Sequence, residues 1–207
     1  GNRLNEAIWS TGYPPFEWNC YGQCHNNRAW YAPENIIVEN GLLRILAENK
    51  THPMAPTTYF WHNESMPLNF TSGAINSHGK FEFKYGYIEA KQKMPQGPSG
   101  FWPAFWSIQT GYPTYGEIDI IEWLSGENTQ YHTALHTREI NKTDLISKGE
   151  VHKRLPDLTQ DFHIFGVEWL PDRISFYFDN EEMLRITDRN QISVLENQHI
   201  RINLAIG

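Results

Sequence analysis

Cysteine is scarce in this chain, two in 207 residues, which excludes a disulfide-stapled scaffold or a multi-cysteine metal domain. Basic clusters are also missing. The longest is His152-Lys153-Arg154, and 17 Lys and Arg face 24 Asp and Glu for a net charge of −7. A nucleic-acid or anionic-membrane partner is therefore not expected. No apolar run reaches the length of a membrane-spanning helix. The first residues do not read as a signal peptide, although a processed protein would have lost one. Helical periodicity, internal repeats, low-complexity tracts and interdomain linkers are absent too, so one domain over residues 1–207 is expected, as a monomer.

What is present is a series of short strand-like runs between Gly, Pro and Asn. Strands are expected at 35–38, 42–47, 71–76, 79–85, 86–94, 101–108, 117–124, 131–137, 162–170, 173–178, 182–186 and 200–206. Asn40-Gly41 and Asp179-Asn180 mark hairpin turns, and Pro171-Asp172 fits another. Residues 187–197 read as a loop with a short helical turn. Residues 49–69 read as a long loop forming a cleft wall. Many antiparallel strands without crossover helices indicate an all-β sandwich or jelly roll.

Within this pattern Glu117-Ile-Asp119-Ile-Ile-Glu122 stands out. Its isoleucines favour a strand, while three acids crowded on one strand repel one another. In strict alternation Glu117 and Asp119 share a face and Glu122 opposes them. A β-bulge at Ile120-Ile121 resets the alternation, gathers the acids on one face and sends Ile118 and Trp123 to the core. Paired carboxyls across a cleft equip a chain for glycoside hydrolysis, and a separation of about 5–5.5 Å gives retention against about 6.5–9.5 Å for inversion. Two pleats shortened by a bulge suit the shorter range. Asp119 crowds charge between the glutamates and raises a neighbour's pKa. The plainer readings are an acidic strand edge or a calcium site.

The neighbouring strand, Gly100-Phe-Trp-Pro-Ala-Phe-Trp106, offers flat apolar rings suited to sugar faces. Alternation puts Phe101, Pro103 and Phe105 on one face and Trp102, Ala104 and Trp106 on the other, one face for the core and one for a cleft. Trp169 reads as core; Trp30 and Tyr31 line or cover the groove; Trp9 and Trp18 are unassigned. His132 and His136 share a strand face, but no third metal ligand is evident, and His136 reads as a polar partner of the acids. Cys20 and Cys24, in Cys-Tyr-Gly-Gln-Cys, suit a small disulfide loop or, with His25, part of a metal site; a disulfide fits an exported enzyme.

These motifs resemble glycoside hydrolase family 16, in its laminarinase-like branch with a bulged catalytic strand. Residues 35–44, Thr71-Ser-Gly, 85–95, 162–169 and Asn203-Leu-Ala-Ile-Gly207 extend the resemblance over nearly the whole chain. It implies a β-jelly roll of two curved antiparallel sheets with a sugar groove on the concave face. It makes Glu117 the nucleophile, Glu122 the general acid/base and Asp119 the helper of a retaining endo-β-glucanase acting on β-1,3 or mixed β-1,3/1,4 glucan. Trp102, Trp106 and His136 match groove positions, Asn27 falls in a sugar-contacting segment, and Asn203 reaches the groove or stabilises a turn. No cofactor is required, and a structural calcium, which some relatives bind through terminal regions, stays open. The resemblance further implies a secreted or periplasmic protein, and a fragment lacking terminal strands. Ala74, Tyr87 and Lys91 stand where relatives often carry arginine. The same mechanism on an agarose-type galactan, transglycosylation, and a non-catalytic β-glucan-binding module are the alternatives.

Overall fold

A computed structural model describes residues 1–13, 27–55, 58–61 and 64–207; of 58–61 and 64–66 it describes the backbone. Cys20, Cys24, His25 and Trp18 lie outside the described residues. In chain order the strands are β1 (Ser10–Thr11), β2 (Ala29–Tyr31), β3 (Ile36–Glu39), β4 (Leu42–Ile45), β5 (Thr58–Trp61) and β6 (Glu64–Pro67). They continue with β7 (Phe70–Ser72), β8 (Ala74–Asn76), β9 (Glu82–Phe83), β10 (Gly86–Gln92), β11 (Phe101–Ile108) and β12 (Tyr115–Glu122). The last are β13 (Tyr131–Arg138), β14 (Ile146–His152), β15 (His163–Leu170), β16 (Arg173–Phe178), β17 (Glu181–Ile186) and β18 (Gln198–Ile206), with helix α1 (Arg189–Ser193) between the final two.

The larger sheet runs β1-β8-β18-β11-β12-β13-β14, with β9 also on β18, and the smaller runs β10-β15-β16-β17. Both are antiparallel. Period-two alternation sends one face of each sheet inward. Phe105, Ile118, Ile121, Trp123 and Leu135 of the larger sheet meet Phe165, Val167, Trp169, Ile174 and Phe176 of the smaller in one buried cluster. Each such side chain contributes about 1.5–3 kcal/mol by leaving water. The opposite face of the larger sheet is thereby left for chemistry.

The turns follow their residues. Asn40 and Gly41 both take positive φ, 51° and 79°, between β3 and β4, and Asp179 and Asn180 do so at 46° and 71° between β16 and β17. These left-handed pairs match the twist of a two-residue hairpin. The helical turn expected in 187–197 is α1, capped by the Asp188 carboxylate accepting from the Asn190 N–H.

Several boundaries differ from the sequence pattern. The run 71–76 is two strands: β7 pairs in parallel with β2, while β8 joins β18. Gly73 separates them, where a Cβ would stand 2.5 Å from Ile36 Cδ1. The run 79–85 shrinks to β9, because Gly79 and Tyr85 at its ends have positive φ, 68° each. The expected loop 49–69 contains the β5–β6 hairpin, whose alternation is hidden by Pro56 and Pro67. Strand β14 reads as polar sequence because, at the end of the larger sheet, it is mostly exposed and needs no apolar face.

The bulge is present. Asp119 pairs with Ala134 and Glu122 with His132, so Ile120 and Ile121 together oppose Thr133. On the other side Trp106 pairs with Asp119 and Phe105 with Ile121, which skips Ile120. Both isoleucines are buried, as are Ile118 and Trp123. Thr133 anchors the partner strand from below, its hydroxyl 3.0 Å from His152 Nε2. Gly149 on β14, opposite Ala134, lets the strands close here, since a Cβ would lie 2.2 Å from the Thr133 carbonyl oxygen. Gly149→Ala is expected to cost about 1–3 kcal/mol in a urea or thermal melt, through forced backbone displacement, while Lys148→Ala on the same exposed strand leaves the melt nearly unchanged.

Candidate active site

Four strands of the larger sheet build the site from their outward faces. Strand β11 contributes Trp102, Ala104 and Trp106; β12 contributes Glu117, Asp119 and Glu122; β13 contributes His136; Asn203 and Ala205 come from β18. With Tyr13 and Tyr31 they line a cleft of about 230 Å³. The alternation expected for β11 holds: Trp102, Ala104 and Trp106 line the cleft, while Phe101 and Phe105 pack on the core.

Each acid has a distinct partner. Tyr115, two residues before Glu117 on the same face, donates its hydroxyl to Glu117 Oε2 at 2.6 Å. Asp119 Oδ2 lies 3.2 Å from His136 Nε2, and His136 Nδ1 lies 2.6 Å from Ser147 Oγ on β14. Trp102 donates its indole N–H to Glu122 Oε1 at 3.1 Å. Ligand atoms of Glu117, Asp119 and His136 all fall within 4.8 Å of one another. This trio could hold a divalent cation as well as share a proton. His132, four residues before His136, instead approaches Glu127 Oε2 at 3.5 Å.

Burial sets the electrostatics. Glu117 is pushed up to about 8, first by loss of water and then by the Asp119 charge, against the pull of the Tyr115 hydroxyl and His136. Asp119 is raised well above the ordinary range by burial and by the Glu122 charge. Glu122 is raised by burial too, against the hydrogen bond from Trp102 and the nearby His136 and His132. Protons released from such a cluster belong to the group, so near neutrality the three acids carry fewer than three charges. Tyr115, buried and facing Glu117, is pushed far above its usual range and stays a donor.

Asn203 ties the aromatic wall together. Its Oδ1 accepts from Trp106 Nε1 at 2.8 Å and from the Tyr13 hydroxyl at 2.9 Å, and its Nδ2 donates to the Tyr31 hydroxyl at 3.1 Å. Asn27 is placed elsewhere: buried, it bonds the Ala29 carbonyl and accepts from the Ala29 and Ile206 N–H groups, outside the cleft lining. Trp30 stacks on His52 at 5.6 Å, and Trp169 lies in the core. Sequence reasoning missed Tyr13 and Tyr115. The signal for Tyr115 was its position two residues before Glu117, which in a strand means the same face.

A buried acid that binds its proton more tightly in the folded chain loses stability as pH rises. For Glu117 that contribution is complete below 4.5 and is lost as pH climbs through about 8. Glu117→Gln, which cannot ionise, is therefore expected to raise Tm at pH 8 by several degrees. At pH 4.5 it should change Tm little. Differential scanning calorimetry at both pH values checks the difference.

Known proteins are similar to the chain in sequence and in fold. The chain is 30% identical over 98% of its length to a Rhodothermus marinus protein named beta-glucanase, covering 76% of that protein. It is 27% identical over its whole length to glucan endo-1,3-beta-glucosidase A1 of Niallia circulans, covering 32% of it. The X-ray structure of an endo-beta-1,3-glucanase from Pyrococcus furiosus matches the whole chain and 81% of its own, at 29% identity and a TM-score of 0.77. The chain spans 32%, 42% and 34% of the lengths of three curated relatives that it matches. Residues 25–206 match the family described as Glycosyl hydrolases family 16, and the chain belongs to that family.

Proposed function

We propose that the chain is the catalytic part of a retaining endo-β-glucanase that cleaves β-1,3 or mixed β-1,3/1,4 glucan outside the cell. The observation that carries this reading is the convergence of Glu117, Asp119 and Glu122 on one face of a cleft walled by Trp102 and Trp106. Relatives named beta-glucanase and glucan endo-1,3-beta-glucosidase support the substrate class.

The hydrogen bonds support a division of roles. Tyr115 occupies Glu117 Oε2, which leaves Oε1 to attack the anomeric carbon. Trp102 occupies Glu122 Oε1, which leaves Oε2 to deliver a proton to the departing glycosidic oxygen. The attack forms a glycosyl ester on Glu117 and breaks the glycosidic bond. Glu122, now ionised, takes a proton from water as the water oxygen attacks the same carbon and releases Glu117. Asp119 sits with Glu117 and His136 within 4.8 Å. A proton shared among these groups lets Glu117 shed its charge into the ester and regain it on hydrolysis. Positive charge growing on the sugar ring favours the carboxylate of Glu117, offsetting the burial that otherwise protonates it.

Charge argues for a neutral polymer. The cleft lining contains three carboxyls and one histidine, with no Lys or Arg among the described residues that form it. Sulfate groups of an anionic galactan would meet three carboxyls there and no lining Lys or Arg to pair with.

Glu117→Gln is expected to lower kcat on laminarin or lichenan by a factor of about 10³ or more while oligosaccharide binding persists. Glu122→Gln should spare the first step on an aryl glycoside whose leaving group needs no proton. Hydrolysis by the wild type, followed by NMR, should release the β-anomer first. Near-normal turnover by Glu117→Gln, or initial release of the α-anomer, would refute the mechanism, and activity on agarose alone would refute the substrate.

A further inference from the structure

Against the aromatic wall of the cleft lies a buried cation that the reaction steps above do not use. Arg201 of β18 is 3% exposed, on the same sheet face as Asn203, and pairs in register with Trp106. Its guanidinium carbon stands 4.6 Å from the centre of the Tyr13 ring and 4.8 Å from that of Trp106. The two rings meet edge to face at 6.1 Å and 80°. The Arg201 Nε–H donates to His199 Nε2 at 3.0 Å. His199 must therefore be neutral to accept, and burial, the Arg201 charge and His78 hold its pKa down to about 2. Its acceptor role persists at any working pH.

These contacts hold the guanidinium through its Nε–H and place it against two aromatic rings at once. A guanidinium does this and an ammonium does not, because only the former is flat and weakly hydrated. The rings it holds are the ones joined through Asn203, and they stand in the same cleft as Glu117. A buried charge in such a place has a simpler role in fold stability, and a test must separate the two.

We propose that Arg201 is a positioning residue: clamped by His199, it holds Trp106 and Tyr13 as the platform for the sugar ring beside Glu117. The inference rests on the glucanase reading for its substrate, but the clamp itself has a readout that needs no turnover.

Arg201→Met should raise KM for a glucan oligosaccharide about fivefold, the effect of losing cation–π contacts from a buried site, with kcat changed less than about twofold. Arg201→Lys keeps the charge without the planar, weakly hydrated group and should recover only part of the loss. Near-UV circular dichroism of the folded variants should show altered tryptophan and tyrosine bands. If Arg201→Met does not fold, Arg201→Gln takes its place in both measurements. An unchanged KM with only a lower Tm, or unchanged aromatic bands, overturns the proposal. Should the wild type cleave no glucan at all, altered bands would uphold the clamp while the glucanase reading fails, so the two failures are distinguishable.

Discussion

The site depends on one extra residue in one strand. Without the bulge at Ile120 and Ile121, alternation would place Glu122 with Ile118 against the core. With it, both isoleucines fill the sandwich and all three carboxyls line the cleft. The bulge is not a local accident of β12, since its neighbours on both sides accommodate it. Strand β11 skips Ile120, and β13 offers Thr133 alone to two residues. Beyond them Gly149 permits the close approach of β14, and His152 pins the Thr133 hydroxyl from the core side. Four strands thus cooperate to reset one alternation.

Once the acids share a face, their environment sets what they can do. A cleft that removes water from three carboxyls drives protons onto them, and the same loss of water strengthens each donor aimed at them. Tyr115, Trp102 and His136 serve Glu117, Glu122 and Asp119 one to one. Raised proton affinity is a stability cost near neutral pH, of the kind tolerated at sites that use it. The aromatic wall adds a neutral, flat surface, and Asn203 and Arg201 brace it from the strand at its other side.

Much of this was legible in the sequence because period-two alternation is a strong rule. The need for the bulge and the division of β11 into a core face and a cleft face follow from it, while the turns at Asn40-Gly41 and Asp179-Asn180 follow from residues that tolerate positive φ. Residues that reach the cleft from afar were not legible. Tyr13 precedes Glu117 by about a hundred positions, and nothing local marks it as part of the wall. Strand β14 was hidden because an exposed edge needs no apolar pattern. Asn27 illustrates the converse: its amide bonds the backbone of Ala29 and of the distant Ile206, a pairing that no local pattern announces.

The central claim is that the bulged strand presents Glu117 as the attacking carboxylate. A 2-deoxy-2-fluoro glucan oligosaccharide with a good leaving group stalls a retaining enzyme at its covalent ester, and peptide mass spectrometry then locates the label. A stoichiometric adduct on Glu117 is predicted. An adduct on Glu122 or Asp119, or turnover through inversion with no adduct, would contradict the account.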